Sequence, residues 1–157
     1  MTKLALKALT ILFILLSGAA CVPDSNCYSQ FYAIDESGWC YDDSLVFTPT
    51  IADSIVQGRL MIAVRHDSKY RYSNLWLEIS HPVADTVISD TINVDLADVY
   101  GRWLGTASAV SYTKTDTITH NIKLLRDKKY VIRHVMRPDT IKNLERIGLI
   151  FEPTKTQ

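Results

Sequence analysis

Four histidines, three cysteines and a scatter of aspartates are the side chains of this chain with the widest chemical scope. His66, His81, His120 and His134 stand in no H-x-H, H-E-x-x-H or Cys/His spacing, so they read as surface or turn histidines rather than metal ligands. A serine nucleophile wants a strained turn such as G-x-S-x-G, and the chain contains none. Its six glycines are scattered and form no phosphate-cradling loop. Asp90, Asp95 and Asp98 match no EF-hand calcium loop and read as turn and strand-edge residues. Carboxylate pairs for glycoside chemistry meet only in space, so the sequence leaves them open. Lacking a catalytic constellation, the chain reads as non-catalytic, with no cofactor and no metal site.

The cysteines say more. Lys3 and Lys7 precede an uncharged apolar run at residues 8–16, then Ser17, Gly18, Ala19 and Ala20, then Cys21. This is a secretory signal peptide over residues 1–20, too short to span a bilayer comfortably. A cysteine directly after small residues matches a bacterial lipobox, in which that cysteine becomes the acylated N-terminus. Gly18 stands where leucine is usual, and ordinary cleavage after Ala20 also fits the small-x-small rule. Lipidation at Cys21 is the expectation, because it leaves Cys27 and Cys40 as an even pair in an oxidising compartment. Their bridge would close a short loop and stabilise by about 3 kcal/mol on the chain-entropy model; the alternative is two unpaired thiols. Removing Lys3 and Lys7 from 17 basic residues leaves 15 against 17 acidic, a net charge of −2. That balance argues against nucleic acid as a partner.

Aromatic residues and arginines are the better lead to a binding surface. Trp39, Trp76 and Trp103, with Tyr70, Tyr72 and Tyr100, are numerous for a small domain. Residues 70–79 alternate: Ser73, Leu75, Leu77 and Ile79 fall on one side, Tyr70, Tyr72, Asn74, Trp76 and Glu78 on the other. Successive strand side chains point to opposite faces, so Trp76 should face away from an aliphatic inner side. Gly101 and Gly105 bracket Arg102, Trp103 and Leu104 in a loop or single helical turn. Tyr72, Trp76, Arg102, Trp103 and Arg137 are the candidate partner-binding residues, since Trp, Tyr and Arg dominate interface hot spots. Trp103 as a plug for the end of the core is the competing reading.

The elements that must position these residues are all strands. A tether at 21–26 leads to candidate strands at 28–34 and 39–47, then a buried apolar run at 60–65. The central strand at 70–79 is expected to end at His81 and Pro82. Short pieces follow at 83–88 and 91–96, as a hairpin or one bulged strand. Further strands are expected at 107–113, 117–125, 130–136 and 146–152, with a connection or helical turn at 139–145 and a tail from 154. Eight to ten short strands, spaced by about 8–12 residues and with no long amphipathic helix, predict an all-β, antiparallel, jelly-roll-like sandwich over 27–153.

Several segments stand in a telling order: Tyr72-Ser73-Asn74-Leu75-Trp76-Leu77, then Asp90-Thr91-Ile92 leading to Leu96-Ala97-Asp98. Gly101-Arg102-Trp103-Leu104-Gly105, Tyr130, Met136-Arg137 and Ile147-Gly148-Leu149 complete the set. In this order and spacing the chain resembles the gliding motility-associated lipoprotein GldH family of the Bacteroidota. Gly105-Thr106-Ala107 departs from the family's frequent Gly-Lys-Gly, and Val135 from its frequent Gln. The resemblance implies an outer-membrane lipoprotein linked to gliding and type IX protein secretion, acting through envelope proteins of unspecified identity. It leaves open which membrane face the domain occupies, and it supplies no catalytic residue. A glycan-binding module that stacks sugar on Trp76 and Trp103 is the alternative.

Overall fold

The computed structural model describes residues 24–154. The expected signal peptide and the expected lipid attachment at Cys21 lie outside them. Eleven strands form among the described residues: β1 (Tyr28–Ala33), β2 (Trp39–Cys40), β3 (Leu45–Phe47), β4 (Ile55–Asp67), β5 (Asn74–Val83), β6 (Thr86–Asp95), β7 (Thr106–Ser108), β8 (Ser111–Leu125), β9 (Tyr130–His134), β10 (Thr140–Ile141) and β11 (Leu144–Pro153). A five-stranded sheet has the order β1-β11-β4-β8-β7 and a four-stranded sheet the order β3-β9-β5-β6, with β10-β2 as a small separate pair. Every pairing is antiparallel. The fold is an all-β antiparallel sandwich, as the strand spacing predicts.

The core lies between the two large sheets. Leu60, Ile62 and Val64 of β4 and Ile147, Leu149 and Phe151 of β11 face Leu75, Leu77 and Ile79 of β5 and Tyr130 and Ile132 of β9. Alternation in β5 runs in the expected register: Leu75, Leu77 and Ile79 are fully buried and Trp76 is 43% exposed. Leu77 sits between Ile92 and His134 on the neighbouring strands, so β5 lies inside its sheet rather than at an edge.

Several expectations give way to tertiary context. Tyr70 and Tyr72 precede the strand instead of belonging to its outer face. Tyr70 is buried, its hydroxyl donating to the Asn74 carbonyl at 3.1 Å. Pro82 does not end β5, which runs on to Val83. The two-residue turn at Ala84 and Asp85 makes Val83↔Thr86 the hydrogen-bonded pair, so the nitrogen of Pro82 points away from β6. Pairing with β9 stops at Ser80, so no ladder bond is lost there. Residues 86–95 form one strand and 111–125 another, because each pairs with a single long neighbour. Residues 139–145 contain β10 and the start of β11 instead of a helical turn.

Cys27 and Cys40 are free thiols, so the expected bridge is not formed. Cys27 enters β1 at the end where Ser25 pairs with Ala52, while Cys40 pairs with Thr140 beyond the other end of β1. The six residues of β1 put roughly 15–20 Å of extended backbone between those ends, well outside disulfide range. The histidines also depart from expectation. His66 and His134 are fully buried, His66 at the end of β4 and His134 at the end of β9.

Leu77→Ala removes a fully buried side chain at the centre of the four-stranded sheet. It should cost roughly 2–5 kcal/mol in a urea unfolding curve. A loss below about 1 kcal/mol would be inconsistent with this packing.

Candidate functional site

Two of the five candidate residues lie on one strand and its approach, and the fold brings a third to them. Trp76 projects from the outer face of β5, and Tyr72 lies just ahead of that strand. The segment after β9 folds over them: the Val135 amide donates to the Trp76 carbonyl at 3.0 Å, and the Met136 sulfur accepts from the Trp76 amide at 3.3 Å. Tyr72, Trp76, Thr91, Val135, Met136, Arg137 and Pro138 together enclose a shallow groove of about 470 Å³. It is apolar at its floor, with Arg137 exposed at its side. Sequence reasoning singled out Tyr72, Trp76 and Arg137 but missed Thr91, Val135 and Pro138, which carry no signal of their own. Met136 entered only within the Met-Arg pair.

Arg102 and Trp103 sit on a separate feature, and they part company. Asp98 organises their loop. Its carboxylate accepts from the amides of Tyr100 and Arg102, both at 2.9 Å, and from the Arg102 guanidinium at 2.7 Å. These bonds, the Arg102 amide foremost, hold the Asp98 carboxyl below its ordinary range. Gly101 and Gly105 take φ of 78° and 87°, conformations glycine adopts without strain. A side chain at Gly105 would collide with the backbone of Thr113. The loop presents Arg102 outward, its side chain 76% exposed and stacked over Tyr100 at 5.4 Å.

Trp103 turns inward instead. Its ring meets His66 edge-on at 4.5 Å and lies 6.4 Å from Tyr70 and 6.0 Å from Tyr112. Ala97 and Trp103 form a β-bridge that seals this end of the sandwich. Trp103 is therefore the plug of an aromatic cluster, and it does not share a stacking platform with Trp76. Tyr70 connects the two features, since its ring also lies 5.6 Å from that of Tyr72.

His66 is the polar centre of that cluster. Its Nδ1 bonds the Asp67 carbonyl at 2.8 Å, while its buried Nε2 has no partner. His134 bonds the Trp39 carbonyl through Nε2 at 3.1 Å and leaves Nδ1 unpartnered. Burial lowers both imidazoles from the ordinary 6.5, outweighing the nearby carbonyls and carboxylates. Glu145 joins three strands beside His66, accepting from Ser111 and from Arg65, the latter at 2.6 Å. The Ser111 hydroxyl, then Arg65, lower its carboxyl. Among the described residues no group of three or more His, Cys, Asp or Glu could hold a metal ion, and no helix is long and apolar enough to cross a membrane.

The GldH lipoprotein family model matches residues 26–150. A gliding motility lipoprotein GldH homolog of Christiangramia forsetii is 34% identical over 128 residues, covering 76% of this chain and 77% of its own. The solved structure of Eiger TNF from S. frugiperda aligns over 84% of this chain and 96% of its own, at 10% identity and a TM-score of 0.40.

Two measurements check this geometry. Trp103→Ala should lower stability by about 3 kcal/mol or more as the cluster loses its cover, whereas Arg102→Ala should leave the melting temperature nearly unchanged. Equal effects would contradict the inward placement of Trp103. Acidification should also destabilise the fold. His66 and His134 bind protons less readily folded than unfolded, so their contribution is complete above the unfolded value near 6.5 and declines as pH falls below it. The melting temperature should drop between about pH 7 and pH 5, before most carboxylates titrate. A flat profile over that window would contradict neutral burial.

Proposed function

Since this chain belongs to the GldH lipoprotein family, we propose that it is a non-catalytic lipoprotein anchored in the outer membrane through Cys21. It works in the gliding motility and type IX secretion machinery by protein–protein contact. The observation that carries the contact reading is the groove around Trp76. A large aromatic ring is left 43% exposed on an otherwise polar outer face, walled by Tyr72, Met136 and Pro138 with Arg137 beside it. Interface anchors have this composition, an aromatic and an arginine around an apolar floor. Neighbouring polar groups already satisfy one another. Arg133 donates to Glu78 at 2.8 Å and lies over Tyr41, and the Ser80 and Ser89 hydroxyls are bonded at 2.7 Å. Trp76 makes no comparable aromatic pair and leaves its ring partly open to a partner.

The anchor follows from the small residues before Cys21 and from the family's lipoprotein character. Firm attachment needs more than one acyl chain, since a single chain holds a protein only marginally.

Trp76→Ala combined with Arg137→Ala should leave folding and melting temperature close to the parent. It should remove envelope proteins that co-purify with the intact lipoprotein and impair secretion. An unchanged set of partners and normal secretion would overturn the groove as the contact site. Cys21→Ser should separately release the protein into the soluble periplasm; persistence in the membrane fraction with no acyl chain detected on the parent protein would overturn the anchor.

A further inference from the structure

A second cavity lies on the other face of the β5–β6 ladder from the groove. It is a cleft of about 780 Å³ between the two sheets, bounded by β4, β5, the β5–β6 turn, β6 and β8. Its walls are mainly aliphatic, with Leu60, Ile79, Ile92, Ile118 and Ile122, and the exposed Asp85, Asn121 and Lys123 also border it. It opens where both sheets lack an outer neighbour. β6 is the last strand of its sheet, and β7 covers β8 only as far as Thr113. Register shifts between Gly58 and Leu60 and between Leu60 and Met61 give β8 extra residues over 117–122. Such bulges bend a strand, and these coincide with the wall formed by Ile118 and Ile122.

Where the chain enters the domain bears directly on what fills this cleft. The Ala52 amide donates to the Ser25 carbonyl, and the Asn26 side chain exchanges two hydrogen bonds with Asp53, at 2.9 and 3.0 Å. Two residues further on, Ile55 is 57% exposed at the cleft. Cys21 stands only four residues before Ser25, and four extended residues reach about 14 Å. An acyl chain on Cys21 thus starts within reach of the opening. The space between packed sheets is about 10 Å deep, which suits a linear aliphatic chain better than a folded segment. The polar corner, where His81 Nε2 meets Asp90 at 3.0 Å over the Tyr130 ring, leaves the buried His81 Nδ1 without a partner.

We propose that the cleft is an acyl-chain site, filled by one fatty chain of the lipid on Cys21. The inference rests on the lipid anchor proposed above. One chain withdrawn into the domain would hold this end of the sandwich against the membrane. The groove at the start of β5 would then point away from the bilayer.

Two experiments test it. The soluble Cys21→Ser protein should bind a fluorescent sixteen-carbon fatty acid saturably. Ile118→Trp in that background should weaken binding by about tenfold or more, because the indole fills the cleft; Ile92→Trp from the opposite wall serves if the first variant does not keep its melting temperature. No saturable binding, or binding indifferent to a folded filled variant, overturns the site. For the source of the chain, cells are fed a diazirine-bearing palmitate and irradiated, and cross-linked peptides are identified by mass spectrometry. A link between the acyl chain on Cys21 and residues 115–123 supports the proposal. A link from those residues to free phospholipid alone assigns the cleft to bilayer lipid and overturns it. A Cys21 carrying no acyl chain defeats the anchor itself, whereas an acylated Cys21 with no cleft cross-link defeats only this inference.

Discussion

The β4–β8 ladder is the pairing on which the rest of the structure hangs. It joins a thirteen-residue strand to a fifteen-residue one, from Ile55↔Leu125 at one end to Asp67↔Ser111 at the other. At about 3.3 Å per residue, β4 spans roughly 40 Å, the length of the sandwich. One face of β4 supplies Leu60, Ile62 and Val64 to the core, and its last residues place His66 among the aromatic rings. Because β8 follows β4 so far while β7 covers so little of it, one side of the larger sheet stays unpaired. Exposed edges of this kind invite association, and inward-pointing charges discourage it. Asp116 and Lys114, opposite Ile62 and Val64, and Asp90, opposite Ile79, stand on such inward positions.

The same long strands keep the two ends of the molecule chemically distinct. At one end Trp103, Tyr70, Tyr112 and His66 close the core with rings, and Glu145 ties β4, β8 and β11 together through Arg65 and Ser111. At the other end β8 is bulged against β4, and among the described residues no Phe, Tyr or Trp lines the cleft beside Ile118 and Ile122. β5 links the two, with Trp76 near its start and His81 near its finish. A partner bound at the groove and a lipid bound at the cleft would occupy opposite faces of the β5–β6 ladder.

Several features were legible in the residues themselves. Alternation in Leu75, Trp76, Leu77, Glu78 and Ile79 assigned the burial of each side chain, because a half-buried strand permits one register only. Gly101 and Gly105 marked a turn, and both do take left-handed backbone. Other positions misled for identifiable reasons. Pro82 reads as a strand end, yet sits where the sheet asks for no donor. Tyr70 continues the period of β5 by coincidence and folds inward before the strand begins. Cys27 and Cys40 are close in sequence, but a whole strand lies between them.

The sequence by itself determined the fold class, the family and the inner face of β5. Each of these depends on local periodicity or on an ordered set of short segments. Tertiary structure alone decided that Trp103 closes the core while Arg102 stays outside, although the two are adjacent and bracketed by the same glycines. It alone brought residues 135–138 over Trp76, and it alone placed the bulges that open the cleft beside the chain's point of entry. Those outcomes turn on which strands pair and in what register. Ladder registry is a property of two distant segments at once, and the pattern within either one does not contain it.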